Sequence, residues 1–319
     1  MKKIEIQNQC NRKKVLTILQ ARENFFRNCR LKNLSEETIT SYRYKTKRLL
    51  DFFGEDSPVT DITKDKFDDF ILCLRDDDKI NDITVNTNIR NARAFLYFCM
   101  ENGYIGSFKI SLIKAEKKIK ETYTDEELKM LLKKPNMNTC KFTEYKIWVF
   151  ENFLLGTGVR IRTALNIKVK DIDFDNAVVI LRKTKNRNEQ IIPLSKTLSV
   201  VLTEYLKIRG NDSEAYLFCS AYGLQGDKRT YQEYVAKYNA SRGVSKTSCH
   251  LFRHTFAKKC VMEGMDVFRL QKIMGHANLS TTQNYVAMFG KDLSRDFEKY
   301  NPLDVICQTQ KKEKIKIKF

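Results

Sequence analysis

The residues best suited to chemistry lie close together near the end of the chain. All three histidines, His250, His254 and His276, fall in one stretch that also holds Arg253 and Tyr285. His250 and Arg253 are three residues apart, so on a helix they project from one face toward a common ligand. Because a phosphate is the natural ligand for such a pair, the stretch predicts a site that holds a phosphodiester against the tyrosine hydroxyl.

Helix start and stop signals in the same stretch show how these residues would be positioned. A helical pattern begins at Asp266 and ends at Gly275, and Ser280 is expected to cap a last helix with Tyr285 on its second turn. Consecutive short helices would therefore bring the tyrosine toward the face that carries His250. The neighbouring His254 is expected to point away from that face and to have a structural role.

Two segments farther upstream also carry residues that suit a phosphate. An apolar helix over about residues 143–155 ends at Gly156-Thr157-Gly158, and Arg160 then opens the next helix. This position places a guanidinium near backbone N–H groups that have no partner within the helix, which is an anion-binding setting. Between two predicted strands, the polar and basic turn 183–189 would display Lys185 at its tip.

Taken in order, these segments resemble the signature motifs of the tyrosine recombinases, the phage-integrase and Xer-like family of site-specific DNA recombinases. The resemblance rests on GTGVRIRTAL at 156–165, TKN at 184–186, HLFRHTFA at 250–257, MGHANLSTT at 274–282 and the tyrosine at 285. Several motifs in the right order over about 130 residues are far more specific than any one alone. The family often has an acidic residue three positions after the first arginine, and this chain has Thr163 there.

The resemblance implies a DNA breaking-rejoining enzyme that works through a 3′-phosphotyrosyl intermediate, in integration, excision or resolution, without a cofactor or a metal. Arg160 and Arg253 would neutralise the phosphoryl oxygens, and Lys185 would protonate the leaving 5′-oxygen. The two histidines of the motifs would supply hydrogen bonds, and His250 could also accept the tyrosine proton. The six expected catalytic residues are Arg160, Lys185, His250, Arg253, His276 and the nucleophile Tyr285.

Two other functions use related features. A type IB topoisomerase has similar chemistry but acts as a monomer on one duplex, and the Gly275-His276 motif together with the compact size favours the recombinase. A non-catalytic DNA-binding accessory protein would have no need of Tyr285, so the complete set of six residues argues against it. The resemblance further implies that four copies of the chain, a homo-tetramer, assemble on two double-stranded recombination sites.

The composition agrees with a nucleic-acid partner. Lys and Arg number 58 against 39 Asp and Glu in 319 residues, which gives a formal charge of +19 and a pI near 9.4. The nine cysteines are scattered singly, as is typical of free thiols in a reducing cytoplasm. No window reaches the roughly 18 apolar residues of a membrane span. We therefore expect a cytoplasmic protein that binds DNA and not a membrane.

The first third of the chain predicts a helical bundle. Apolar periodicity indicates helices from about residue 15, over 35–53, over 64–74 and over 85–101, without a strand signal. In the family this region is the core-site DNA-binding domain. Its expected DNA contacts lie on the second and fourth helices: Tyr42, Arg43, Lys45, Arg48, Arg90 and Arg93.

The chain as a whole is predicted to be mainly α with a small antiparallel β-sheet, an α+β fold of two domains. Residues 1–14 would form a flexible N-terminus, 15–106 the helical core-binding domain, 107–121 a lysine-rich linker and 122–300 the catalytic domain. Residues 301–319 would form a C-terminal segment with a basic tail. Strands are expected at 172–174, 177–181 and 190–192. The two domains would clamp opposite faces of one duplex.

Overall fold

The computed structural model describes residues 15–115, 121–182 and 189–289, with side chains described as far as residue 286. The chain divides into two compact units between residues 118 and 119. Most of the described chain is helical, with one three-stranded antiparallel sheet in the second unit, which confirms the predicted fold class. The predicted N-terminal segment 1–14, the predicted C-terminal segment 301–319 and the turn that carries Lys185 lie outside the described residues.

The first unit is a bundle of four helices: α1 (Ile18–Leu31), α2 (Glu36–Phe53), α3 (Lys64–Arg75) and α4 (Asp82–Glu101). Each begins after a residue whose side chain accepts a backbone N–H of the first turn, namely Thr17, Ser35, Thr63 and Asn81. These caps satisfy N–H groups that the helix itself leaves without partners. The predicted start of the fourth helix was therefore wrong by three residues, since Asn81 caps it ahead of the apolar pattern.

Aromatic residues fill the core of this bundle. The Phe25 ring lies 5.3 to 5.7 Å from the rings of Tyr42, Phe95 and Phe98. After α4, Ile110 is 4% exposed and belongs to the same core. The side chain of Asn86 then holds the backbone of Ile113 through hydrogen bonds in both directions. The first residues of the expected linker thus pack on the helical unit.

The second unit is built around one central helix. Its helices are α5 (Asp125–Leu132), α6 (Phe142–Thr157), α7 (Ile161–Ala164), α8 (Lys196–Arg209), α9 (Lys228–Ser241), α10 (Cys249–Met262), α11 (Val267–Met274) and α12 (Leu279–Phe289). α6 is buried on almost every face because it contacts α5, α7, α8, α9 and α10. The end of α6 and the start of α10 are therefore fixed relative to each other.

The sheet consists of β1 (Ile172–Asp173), β2 (Val178–Leu181) and β3 (Gln190–Pro193), paired in that order. Val179 faces Ile192 across the β2–β3 ladder, and both side chains are buried. Ile191 precedes Ile192 on β3, pairs with Ile180 and is exposed, as the alternation of a one-sided sheet requires. The first two strands are shorter than predicted, because Ala177 takes a left-handed φ of 52° in the turn between them.

The short helices of the predicted phosphate site are present. Asp266 caps α11 by accepting the backbone N–H groups of Phe268 and Arg269, and Gly275 ends it with a φ of 60°. The expected cap at Ser280 was wrong, because α12 begins at Leu279 and Ser280 lies within its first turn. Among the described residues, no helix has the length and apolarity needed to cross a membrane.

Candidate active site

Arg253 lies at the centre of the site. It belongs to α10 and is 5% exposed. Its Nη1 donates to the carbonyl of Gly158 at 2.6 Å, and its Nη2 donates to the carbonyl of Met274 at 2.7 Å. Nη2 also lies 2.8 Å from Nε2 of His276. Because these partners come from the ends of α6 and α11, one side chain ties three helices together.

The contact with Arg253 fixes the tautomer of His276. A guanidinium has only donors, so Nε2 of His276 must accept. The ring proton is then on Nδ1, which donates to Oγ1 of Thr282 at 2.9 Å. In this conformation His276 is therefore neutral and is held from both sides. The sequence did not single out Thr282, since no feature of its position separates it from the threonine beside it.

Arg160 reaches the same helix end as Arg253. It is the residue before α7, and its Nη1 donates to the carbonyl of Gly275 at 3.4 Å. The two arginines thus lie on consecutive carbonyls, Met274 and Gly275, at the C-terminus of α11. The last carbonyls of a helix have no partner within it and carry the negative end of its dipole, so they suit cationic side chains.

Both guanidiniums lie in an environment that favours an added anion. Burial lowers the pKa of Arg160. Burial and, to a smaller extent, the positive charge of Arg160 lower the pKa of Arg253 to about 10. A negatively charged ligand would offset the cost of burying the two guanidiniums. It would also offset the repulsion between their positive charges. A phosphate is the ligand that matches two such planar forks.

Gly158 shapes the turn that receives Arg253. It ends α6 in the left-handed conformation, with a φ of 63°. A Cβ on this residue would lie 2.3 Å from Cδ1 of Phe256 on α10. Only glycine therefore allows the turn to approach α10 closely enough for its carbonyl to accept from Arg253. The predicted glycine turn before the first arginine is confirmed as the end of α6.

Tyr285 is buried beside these groups. It is 2% exposed and packs in an apolar cluster with Ala257, Leu270 and Met274. Its ring is parallel to that of His276, with 6.3 Å between the ring centroids. Burial raises the pKa of Tyr285, whereas the charges of Arg253 and Arg160 lower it. The structure thus brings the predicted nucleophile together with both predicted arginines and His276.

The hydroxyl oxygen of Tyr285 lies 2.6 Å from Nδ1 of His254, so the two side chains share a hydrogen bond. The expectation that His254 points away from the site was therefore wrong. Its ring lies 6.5 Å from that of His250, centroid to centroid, because residues four apart share a face of α10. The spacing of the two histidines was the signal that could have identified His254. His250 itself is an exposed residue in the first turn of α10.

Gln190 is a second residue that sequence reasoning missed. It is the first residue of β3, and its Nε2 donates to the carbonyls of Lys272 and, at 2.8 Å, of Ile273. A Cβ on Gly275 would lie 2.5 Å from Oε1 of the same side chain. The strand that follows the predicted lysine turn is thus attached to the helix end that holds the arginines. Lys185, in that turn, lies outside the described residues.

In the first unit, the expected DNA contacts fall into different environments. Lys45 and Arg48 line a groove of about 290 Å³ between α2 and α4, together with Tyr44, Lys47, Asp51, Thr84 and Asn88. Arg48 is also 3.3 Å from a carboxylate oxygen of Asp77. Arg43 and Arg90 are exposed, Arg93 is half-buried, and the ring of Tyr42 packs against Phe25. The structure therefore places three of the four basic side chains of α2 around one groove.

Comparison with known proteins identifies the family. A sequence model described as the phage integrase family matches residues 121–291, and one described as a phage integrase N-terminal SAM-like domain matches residues 21–101. The tyrosine recombinase XerA of Pyrococcus horikoshii is 36% identical over 156 residues, which cover 48% of this chain and 54% of that protein. XerA of Thermococcus kodakarensis is 28% identical over 272 residues, covering 84% of this chain and 91% of the relative.

Solved structures agree on the fold. A Tn1549 transposon integrase in complex with a circular-intermediate DNA is 23% identical with a TM-score of 0.69, covering 85% of this chain and 95% of that one. A lambda integrase from a tetramer bound to a Holliday junction is 15% identical with a TM-score of 0.67, covering 86% and 78%. The family match spans more than half of the chain. The chain therefore belongs to the phage integrase family and is a tyrosine recombinase, an enzyme that breaks and rejoins DNA.

Proposed function

We propose that this recombinase cleaves DNA by attack of the Tyr285 hydroxyl on a backbone phosphate, which forms a 3′-phosphotyrosyl bond and releases a 5′-hydroxyl. The observation that carries the proposal is the convergence of Tyr285 with two guanidiniums. Burial raises the pKa of Tyr285, and the nearby charges of Arg253 and Arg160 oppose that rise. The groups that would neutralise a phosphate therefore also favour the phenolate that attacks it.

Each remaining need of the reaction has a candidate. The leaving 5′-oxygen needs a proton, which we assign to Lys185 on the turn before β3. His250, exposed at the start of α10, and His276 would bind the non-bridging oxygens. His276 accepts from Arg253 in the described conformation. It would therefore have to release Nε2 from Arg253 before that nitrogen could carry a proton and donate to a phosphate.

A phosphotyrosyl ester conserves the energy of the broken bond, so a 5′-hydroxyl can reverse the step without ATP. Rejoining to the strand of a second duplex would complete recombination. We propose that four copies of the chain act on two sites, supported by a structure of the same fold, the lambda integrase tetramer bound to a Holliday junction. We also propose a cytoplasmic location, because single scattered cysteines are typical of proteins in a reducing compartment.

DNA affinity would come from both units. The groove between α2 and α4 has basic side chains from Lys45, Lys47 and Arg48, which suit a phosphate backbone. Phosphate contacts position a protein on DNA but do not select a sequence. We therefore propose that the helical unit contributes affinity and register, and that the second unit holds the scissile phosphate.

A nicked suicide substrate tests the proposal directly. Its sequence would be recovered by incubating the wild-type protein with fragmented genomic DNA of the host and sequencing the fragments in adducts that survive sodium dodecyl sulfate. Diffusion of the short product from the nick then traps the covalent complex. Wild type should form the adduct, while Tyr285→Phe should form none and bind the same duplex with nearly unchanged affinity. An adduct at the wild-type level with Tyr285→Phe would refute the assignment.

A further inference from the structure

The hydrogen bond between Tyr285 and His254 adds a residue to the reaction. We propose that His254 receives the phenol proton of Tyr285 during strand cleavage and returns it during rejoining. This inference rests on the proposed function, because it concerns the atom that function assigns as the nucleophile. It gives His254 the task that sequence reasoning offered to His250.

The distance between the tyrosine oxygen and the histidine nitrogen suits a proton transfer. Oη of Tyr285 and Nδ1 of His254 are 2.6 Å apart, which is short for a hydrogen bond between neutral groups. For the hydroxyl to donate, Nδ1 must carry a lone pair, so the other ring nitrogen carries the proton. The proposal therefore requires the neutral tautomer of His254 with its proton on Nε2, which can accept from Tyr285.

The surroundings of the pair favour the same direction of transfer. Tyr285 is 2% exposed, so bulk water has little access to its hydroxyl as a base. His254 is half-buried, and the ring of His250 lies beside it. A proton taken up by His254 could therefore exchange with solvent. The guanidiniums of Arg253 and Arg160 stabilise the phenolate that the transfer leaves behind.

The step balances in both directions. In cleavage, the Oη–H bond of Tyr285 breaks, an Nδ1–H bond forms on His254, and the oxygen forms a bond to phosphorus. The bond from phosphorus to the 5′-oxygen breaks, and that oxygen takes a proton from the general acid, proposed as Lys185. In rejoining, the 5′-hydroxyl attacks phosphorus and gives its proton to the lysine, while His254 protonates the departing tyrosine.

Two substitutions separate proton transfer from simple positioning. His254→Asn keeps an acceptor oxygen near the place of Nδ1 but cannot take a proton at neutral pH, whereas His254→Ala removes both. His250→Asn is the matched control on the same face of α10. A second variable is the acidity of the phenol, changed by incorporating 3,5-difluorotyrosine at position 285. A more acidic phenol ionises without help, so it needs a base less.

The measurement is the single-turnover rate of adduct formation on the nicked substrate described above, with DNA affinity and thermal unfolding recorded for every variant. We expect His254→Ala and His254→Asn to slow cleavage by about 10²- to 10⁴-fold, the range of general acid–base catalysis. DNA affinity should change by less than about twofold, since an uncharged contact away from the phosphates adds little to binding. Difluorotyrosine should restore most of the rate in both His254 variants but not in His250→Asn.

The other outcomes overturn the proposal. Cleavage near the wild-type rate by His254→Asn would show that a hydrogen-bond acceptor suffices and that no proton moves to this residue. Rescue by difluorotyrosine in His250→Asn alone would give the role to His250. If His254→Ala fails to fold, the asparagine variant decides between these results. Failure of the wild-type protein itself to form an adduct would refute the proposed function, and the wild-type reaction shows that before any variant is compared.

Discussion

A buried carboxyl in the second unit makes the stability of that unit depend on pH. Glu151 lies on α6 and is 0% exposed, and neither of its side-chain oxygens has a hydrogen-bond partner among the described residues. Burial raises its pKa well above the ordinary value of 4.5, although the charge of Arg242 opposes the shift. An ionised carboxylate without partners is costly in such a place, so the folded protein keeps this group protonated.

The sign and size of the effect follow from proton linkage. Above pH 4.5 the unfolded chain loses the Glu151 proton while the folded chain retains it. Folding then takes up a proton, so stability falls as pH rises, by about 1.4 kcal/mol per pH unit until the folded group also ionises. Glu151→Gln cannot ionise. Relative to wild type it should therefore gain nothing near pH 4 and about 1.4 kcal/mol for each pH unit above 4.5, until the folded wild-type carboxyl also ionises.

The only tryptophan of the chain allows the stability of the second unit to be measured in the full-length protein. Trp148 lies one turn before Glu151 on α6 and is 5% exposed, so its fluorescence reports the unfolding of the second unit. Urea unfolding at pH 5, 6, 7 and 8 gives the free energy of unfolding of variant and wild type. In the difference between the two, the contributions of other titrating groups cancel. Glu144→Gln, a partly exposed carboxyl on the same helix, is the control. A difference for Glu151→Gln that stays constant with pH would refute the reasoning.

The remaining predictions concern catalysis and binding. Lys185→Ala should cleave a substrate with a bridging 5′-phosphorothiolate nearly as well as wild type, because sulfur leaves without a proton; Arg160→Ala should not be rescued, and equal failure of both would remove the acid role from Lys185. Neutralising Arg90 and Arg93 together should reduce the slope of log affinity against log salt by about 0.9 per lost contact, and an unchanged slope would move the DNA surface toward residues 42–48. Gln190→Ala should destabilise the second unit by about 1–3 kcal/mol, measured by Trp148 fluorescence, and an unchanged stability would show that its two hydrogen bonds contribute nothing.

The sequence was informative wherever a single residue type determines local structure. Thr124 and Glu127 predicted a capping box, and the structure has both of its hydrogen bonds at the start of α5. Asp266 and Gly275 likewise predicted the two ends of α11. The convergence of Arg160, Arg253, His276 and Tyr285 was predicted from the order of the motifs, and the structure places them together.

Contacts made by residues far apart in sequence were the part that sequence reasoning could not supply. Thr282 holds His276, and Gln190 holds the end of α11, yet each is a common polar residue without a distinctive neighbourhood. His254 is different, because its distance of four residues from His250 was visible in the sequence. The prediction for His254 was wrong because it considered only the direction of the adjacent Arg253. Residues four apart lie on one helix face, so His254 lies beside His250.

The end of α11 explains why motifs so far apart act as one site. Carbonyls of Met274 and Gly275 hold Arg253 and Arg160, and those of Lys272 and Ile273 hold Gln190. Any residue type offers a carbonyl, so this part of the site leaves no trace in the amino-acid sequence. A guanidinium has five N–H donors, and Arg160 uses one of them on Gly275. A side chain anchored in this way keeps donors for a phosphate and loses little conformational freedom when a phosphate binds. A site fixed before binding stabilises developing charge without reorganising during the reaction.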